Sequence, residues 1–188
     1  MIPVLIIVAI ILVLVILVWG TYNSLVSLNE RVNEAWSDIT VQLKYRADLV
    51  PNLVETVKGY AKHESAAFKN VNEARQAMVS AKGVKATAAA EKSFEGALGK
   101  IFAIAEAYPE LKANESFKEL QQQLQDVEDK IQAARRFYNN GAKELNVKVQ
   151  QFPYVLINNM FGHFKKRDYY EVEEAEAKKI KDAPEVKF

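Results

Sequence analysis

Eighteen consecutive residues, Ile2 to Trp19, carry no charge and consist of Ile, Val, Leu and Ala with one Pro and one Trp. A helix rising about 1.5 Å per residue would cover roughly 27 Å over that stretch, close to the hydrocarbon thickness of a bilayer. Pro3 falls in the first turn, where its missing N–H costs little, and Trp19 with Tyr22 supplies amphipathic rings for the far membrane interface. A cleaved signal peptide would need a basic start, a shorter apolar core and a small-residue cleavage site, and none is evident. Residues 1–20 are therefore expected to be an uncleaved single-pass anchor in the cell membrane, in contact with the lipid bilayer. With no cysteine, a thioester-linked lipid anchor, disulfides and thiolate zinc sites are all excluded.

The charge balance is even, 25 Lys and Arg against 24 Asp and Glu, so no global field favours nucleic acid as a partner. Lys and Arg are absent before the apolar stretch, and the first after it are Arg31, Lys44 and Arg46. That bias predicts a cytoplasmic C-terminal domain.

Beyond the anchor the apolar residues recur at helical spacing: Leu25, Leu28, Val32, Ala35 or Trp36, Ile39, Leu43, Val50, Leu53, Val57, Tyr60 or Ala61, Phe68, Val71, Met78. The pattern predicts a nearly continuous first helix over about 21–80, kinked at Pro51, whose ring crowds the carbonyl of Ala47. Gly83 marks a break. A second helix is expected over 85–107, ended by Tyr108-Pro109, and a third over 114–150 with Asn114 as its cap. Pro153 opens a short fourth helix over 153–161. The fold class is thus all-α: an N-terminal transmembrane helix continuing into an antiparallel bundle of three long helices plus a short fourth, over 21–164, with 165–188 as a loose tail.

Length makes one demand that composition does not. The soluble part of the first helix would be roughly 90 Å long, whereas the second returns only some 35 Å. The seam from Leu25 to Leu53 would then lack an intramolecular partner. Either the chain bends sharply at Pro51 or several molecules pack side by side; assembly into a homo-oligomer through Leu25, Leu28, Val32, Trp36, Ile39 and Leu43 is the favoured expectation.

Chemistry is sparse. His63 and His163 stand about a hundred residues apart, in no HExxH or ExxH arrangement, so no metal or other cofactor is implied. His63-Glu64 reads as a solvated pair on a helix surface. No glycine-bearing turn exposes a serine nucleophile, and the seven glycines form no phosphate loop. Asp38, Arg46, Asp48, Asn52, Asp126, Arg135, Arg136, Asn139 and Asn140 interrupt the apolar pattern. They read first as groups that fix helix register, and second as a docking surface. Phe161-Gly-His-Phe164-Lys-Lys-Arg167 joins aromatics to cations in the manner of membrane-surface segments. In an up-down-up bundle, however, the third helix would carry it away from the anchoring bilayer, leaving only a second membrane or a partner.

Several ordered blocks carry a likeness to known sequences: Tyr22-Asn-Ser-Leu-Val26, Ala35-Trp-Ser-Asp-Ile39, Val41-Gln-Leu-Lys44, Arg46-Ala-Asp-Leu-Val-Pro-Asn-Leu-Val54, Val57-Lys-Gly-Tyr60, Glu106-Ala-Tyr-Pro-Glu-Leu-Lys112, Ala134-Arg-Arg-Phe-Tyr-Asn139 and the closing Ala183 to Phe188. Over nearly its whole length the chain resembles the LemA family of bacterial membrane proteins. The resemblance implies an N-terminal anchor, a long-helix bundle of bromodomain-like four-helix type, and no enzymatic activity or catalytic residues to carry over. Relatives are encoded near membrane-bound zinc proteases and TPM-domain proteins, and one helps build magnetosome membranes. The expectation is a non-enzymatic scaffold or adaptor of the bacterial envelope; the alternative is a regulatory subunit of a membrane protease or another envelope enzyme, with a membrane protein as partner.

Overall fold

The structure, a computed structural model, describes residues 1–162 and 164–171; His163 and the tail from 172 to 188 lie outside the described residues. Six helices make up the order: α1 (Ile2–Lys58), α2 (Ser65–Ser80), α3 (Val84–Glu106), α4 (Pro109–Ala113), α5 (Glu115–Lys148) and α6 (Tyr154–Ile157), the last running into a π-helical turn, Asn158–Gly162. There is no strand among the described residues, and the protein is an all-α bundle. Residues 1–45 with 125–169 form one compact unit, and residues 46–124 with 170 and 171 form another.

α1 joins span and bundle in a single helix, with Pro51 inside it. It stops at Lys58, well short of the expected end near 80. The apolar seam leaves a gap between Ala61 and Phe68, filled by Lys, His, Glu, Ser and two Ala. Gly59 adds a residue that favours helix poorly. The Tyr60 and Ala61 N–H groups close the end on the Val57 carbonyl at 3.0 and 2.9 Å. His63 and Glu64 accordingly lie in the link between two helices rather than on a helix surface.

α2 then turns back along α1 in the second unit: the Lys58 ammonium lies 5.9 Å from the Phe68 ring centre, and Arg75 reaches Ala47. Running antiparallel, α2 buries Phe68, Val71 and Met78. Gly83, at φ +81°, supplies the left-handed conformation that lets α3 follow after three residues. α3 buries Phe94, Leu98 and Ile101, and Phe102 meets Phe117 edge-on at 6.3 Å. Asn114 caps α5, its Oδ1 accepting from the Phe117 N–H at 3.1 Å.

In the first unit α5 runs antiparallel to α1. Val32 Cγ2 stands 3.2 Å from where a Cβ on Gly141 would lie, Trp36 meets Tyr138 ring to ring at 5.7 Å, and Lys148 Nζ reaches Ser24 Oγ at 3.3 Å. The early break after Lys58 explains this direction. It adds a reversal absent from the three-helix expectation, so the last long helix returns toward the start of the soluble part of α1.

The seam on α1 is consequently not bare. Leu25, Leu28, Val32, Ala35, Ile39 and Leu43 are each at most 4% exposed, and Trp36 is half-buried against Tyr138. Burying a large aliphatic side chain contributes about 1.5–3 kcal/mol, so an internal helix that covers these residues outcompetes a concentration-dependent partner. The expectation that they form a self-association face is corrected: they are core.

Candidate functional site

Two asparagines of the first unit hold the chain beyond the π turn, and both grip in the same way. Asn158 accepts the Phe164 N–H at 2.8 Å and donates to the Phe164 carbonyl at 3.0 Å. Asn146 on α5 accepts the Arg167 N–H at 2.7 Å and donates to the Arg167 carbonyl at 2.9 Å. Each side-chain amide thus satisfies both backbone groups of one residue, standing in for a neighbouring strand. The Arg167 guanidinium then bridges to α1, donating to Asn29 Oδ1 and Asn33 Oδ1 at 2.8 Å each. Tyr138 donates to the Asp168 carbonyl at 2.9 Å. Burial raises the Tyr138 phenol above its usual value, with Arg167 opposing and Asp168 adding to the shift. The tail expected to begin at 165 is held in place at Arg167 and Asp168.

The second unit contains a buried polar cluster. Arg46 on α1 lies 3.5 Å from Glu91 and 3.4 Å from Glu95, both on α3, with its guanidinium 5.5 Å from the Phe94 ring centre. Glu91 is only 2% exposed and also accepts a hydrogen bond from the Tyr170 hydroxyl. A charge pair this deep adds little net stability but penalises any other register, because a slip strands one partner without the other. The cluster therefore ties α1, α3 and Tyr170 into one arrangement.

Among the residues picked from sequence, Arg46 enters this buried cluster. Asp48 is exposed and lies 3.8 Å from Arg75, while Arg75 Nε donates to the Ala47 carbonyl at 2.8 Å. That carbonyl is the one Pro51 deprives of its helical donor, so a residue of α2 supplies what the proline removes. Asp38 and Asn52 are exposed, and Arg135 and Asn139 are half-buried on α5. Trp19 is exposed and Tyr22 half-buried. Sequence reasoning missed Glu91, Asn146, Asn158 and Tyr170. A signal existed for two of them: Glu91 falls on the stripe Thr87, Phe94, Leu98, Ile101, and Asn146 lies between Leu145 and Val149.

Phe164 and Arg167 stand beside the start of the soluble part of α1, not far from it as expected, with the Phe164 ring 6.1 Å from that of Tyr22 and Arg167 on Asn29 and Asn33. No group of three or more His, Asp or Glu comes together among the described residues. An open groove at the α1–α2 turn is lined by Lys58, Lys62, Lys69, Ser65, Phe68 and Asn72. Among the described residues one helix, α1, is long and apolar enough to cross a membrane, and none of its most apolar stretch is buried within the protein.

These features define a membrane-associated, all-helical bundle protein with one apolar span. The chain belongs to the LemA family, whose profile matches residues 35–188. It is 28% identical over 175 residues to magnetosome protein MamQ of Magnetospirillum gryphiswaldense, covering 79% of this chain and 64% of MamQ. It is 26% identical over 176 residues to MamQ 1 and MamQ 2 of Paramagnetospirillum magneticum, covering 80% of this chain and 64% of each relative. The chain thus spans slightly less than two thirds of the length of these relatives.

Proposed function

We propose that the protein is a non-enzymatic, single-pass membrane scaffold or adaptor of the bacterial envelope, with its bundle on the cytoplasmic side. The observation that carries this reading is the continuity of α1: the apolar span and the bundle share one helix, so load on the bundle passes directly to the membrane. Its buried polar groups support the same reading. Arg46, Glu91, Asn146 and Asn158 are engaged in holding segments together rather than facing a cleft. Orientation draws support from Lys148, which reaches Ser24, and from Lys165 and Lys166, which follow Phe164 in the chain where it meets Tyr22; they join Arg31 as juxtamembrane charges. The relatives named as magnetosome proteins support a role tied to a membrane.

A scaffold acts by gathering copies or clients, so homo-oligomers are part of this reading, through a surface other than the buried α1 seam. Native mass measurement after gentle extraction, with identification of co-purifying chains, tests it. Homomeric particles or a stoichiometric non-enzymatic client are expected. A stoichiometric membrane protease would favour the regulatory-subunit reading instead, and a monomer with no companion at any concentration would refute both.

A further inference from the structure

The span, read as membrane-crossing in the preceding proposal, fixes where the bilayer surface must lie, and one face of the first unit lies at that level. From Gly20 to Ser24 the helix rises about 6 Å, and the interfacial layer beyond the hydrocarbon is about 5–8 Å deep. Lys148, at 3.3 Å from Ser24, therefore stands at headgroup level, and Phe164, against Tyr22, stands deeper. The chain continuing from Lys148 to Phe164 thus starts and ends beside the first soluble turn of α1.

That continuation exposes apolar side chains. Of eleven large hydrophobic residues exposed beyond Trp19 among the described residues, five fall within fifteen positions: Val147, Phe152, Leu156, Met160 and Phe161. Phe152 and Met160 are 73% and 68% exposed, more than any of the other nine. No Asp or Glu occurs from Leu145 to Arg167, whereas Lys148, Lys165, Lys166 and Arg167 all do. Lys165 and Lys166 are exposed beside Phe164. Phe164 is braced against the π turn: Asn158 grips it at both backbone groups, and a Cβ on Gly162 would come within 2.6 Å of its ring. Exposed aromatics and Met beside cations, in a stretch whose two ends stand at the first soluble turn of α1, match an anionic phospholipid surface.

We infer that residues 152–162 and 164–166 form a second membrane contact, seating Phe152, Leu156, Met160 and Phe161 in the interfacial layer with Lys165 and Lys166 on anionic headgroups. A single span leaves a bundle free to roll and tilt about its axis. A second contact beside it fixes one face of the bundle toward the lipid.

The chain has no cysteine, so single substitutions Leu12→Cys, Phe137→Cys and Met160→Cys in the full-length protein each carry one fluorophore. The labelled proteins are reconstituted in phosphatidylcholine vesicles with and without phosphatidylglycerol, and quenched by lipids bearing nitroxide on the headgroup or deep in the acyl chain. The Leu12 label is expected to be quenched by the deep nitroxide. The Met160 label is expected to be quenched by the headgroup nitroxide several-fold more than the Phe137 label, and more strongly with phosphatidylglycerol. Each cation at an anionic surface contributes about fivefold, so Lys165→Glu with Lys166→Glu lowers the docked-to-undocked ratio by at least about 30-fold in those vesicles. A Leu12 label outside the hydrocarbon would overturn the spanning reading and this inference with it. A deep Leu12 label with Met160 no more quenched than Phe137 would overturn the second contact alone. So would a Met160 label shielded from aqueous iodide but untouched by lipid nitroxide, since protein would then cover the patch.

Discussion

Pro51 sits inside a helix without ending it, and Arg75 accounts for how that is tolerated. The proline lacks the N–H that would bond the Ala47 carbonyl, and Ala47 is fully buried, so water cannot replace the donor. Arg75 Nε supplies it at 2.8 Å. Leaving a buried carbonyl without a donor costs about 1–3 kcal/mol. The neighbouring Arg75–Asp48 pair, 3.8 Å apart with Asp48 more than half exposed, adds only about 0–1 kcal/mol. Arg75→Met keeps the apolar stem and removes the donor, for an expected loss of about 2 kcal/mol, which for a chain of this size lowers Tm by roughly 4–8 °C. Pro51→Ala restores the helical N–H, and because Pro51 is exposed it opens no cavity. In that background Arg75→Met should cost only about 0.5–1 kcal/mol, a coupling of roughly 1–1.5 kcal/mol. Thermal unfolding of the four proteins in the same micelles, followed by circular dichroism, measures the cycle. An equal loss from Arg75→Met in both backgrounds would refute the idea that Arg75 compensates for the proline.

Arg46→Met strands Glu91 in the core and should destabilise by about 3–5 kcal/mol, whereas Arg46→Met with Glu91→Leu regains roughly half of that, since the uncompensated charge is gone; chemical denaturation compares them. Tyr138 gives an alkaline signature. Its folded-state pKa is raised above 10.0, so above about pH 10 the unfolded chain releases this proton while the folded chain retains it. The stability it contributes is present below that pH and lost as pH rises through the folded value. Tyr138→Phe should remove this share of the alkaline loss and cost about 1 kcal/mol near neutrality, as Tm measured against pH will show.

Periodicity and charge made the span, the helical class, the breaks at Gly83 and Tyr108-Pro109 and the cap at Asn114 legible, because these depend on local physics: transfer of side chains to lipid, backbone freedom and capping. Counting along one chain could not tell whether a seam was covered, and one turn decided that. The gap between Ala61 and Phe68 was visible, but whether a helix bridges such a gap depends on what its far half can bury by turning back. The structure ends α1 at Lys58, and the added reversal brings α5 down the Leu25–Leu43 seam. The same reversal sets Phe164 against Tyr22 and gathers Arg46, Glu91 and Tyr170 from three distant segments. Sequence by itself determined that this protein has an apolar span and helices with one apolar face each, since both follow from residues near in the chain. Only the tertiary structure decided which faces meet and which side chains come beside the first soluble turns of α1. Those outcomes depend on chain direction, which a single break between helices reverses.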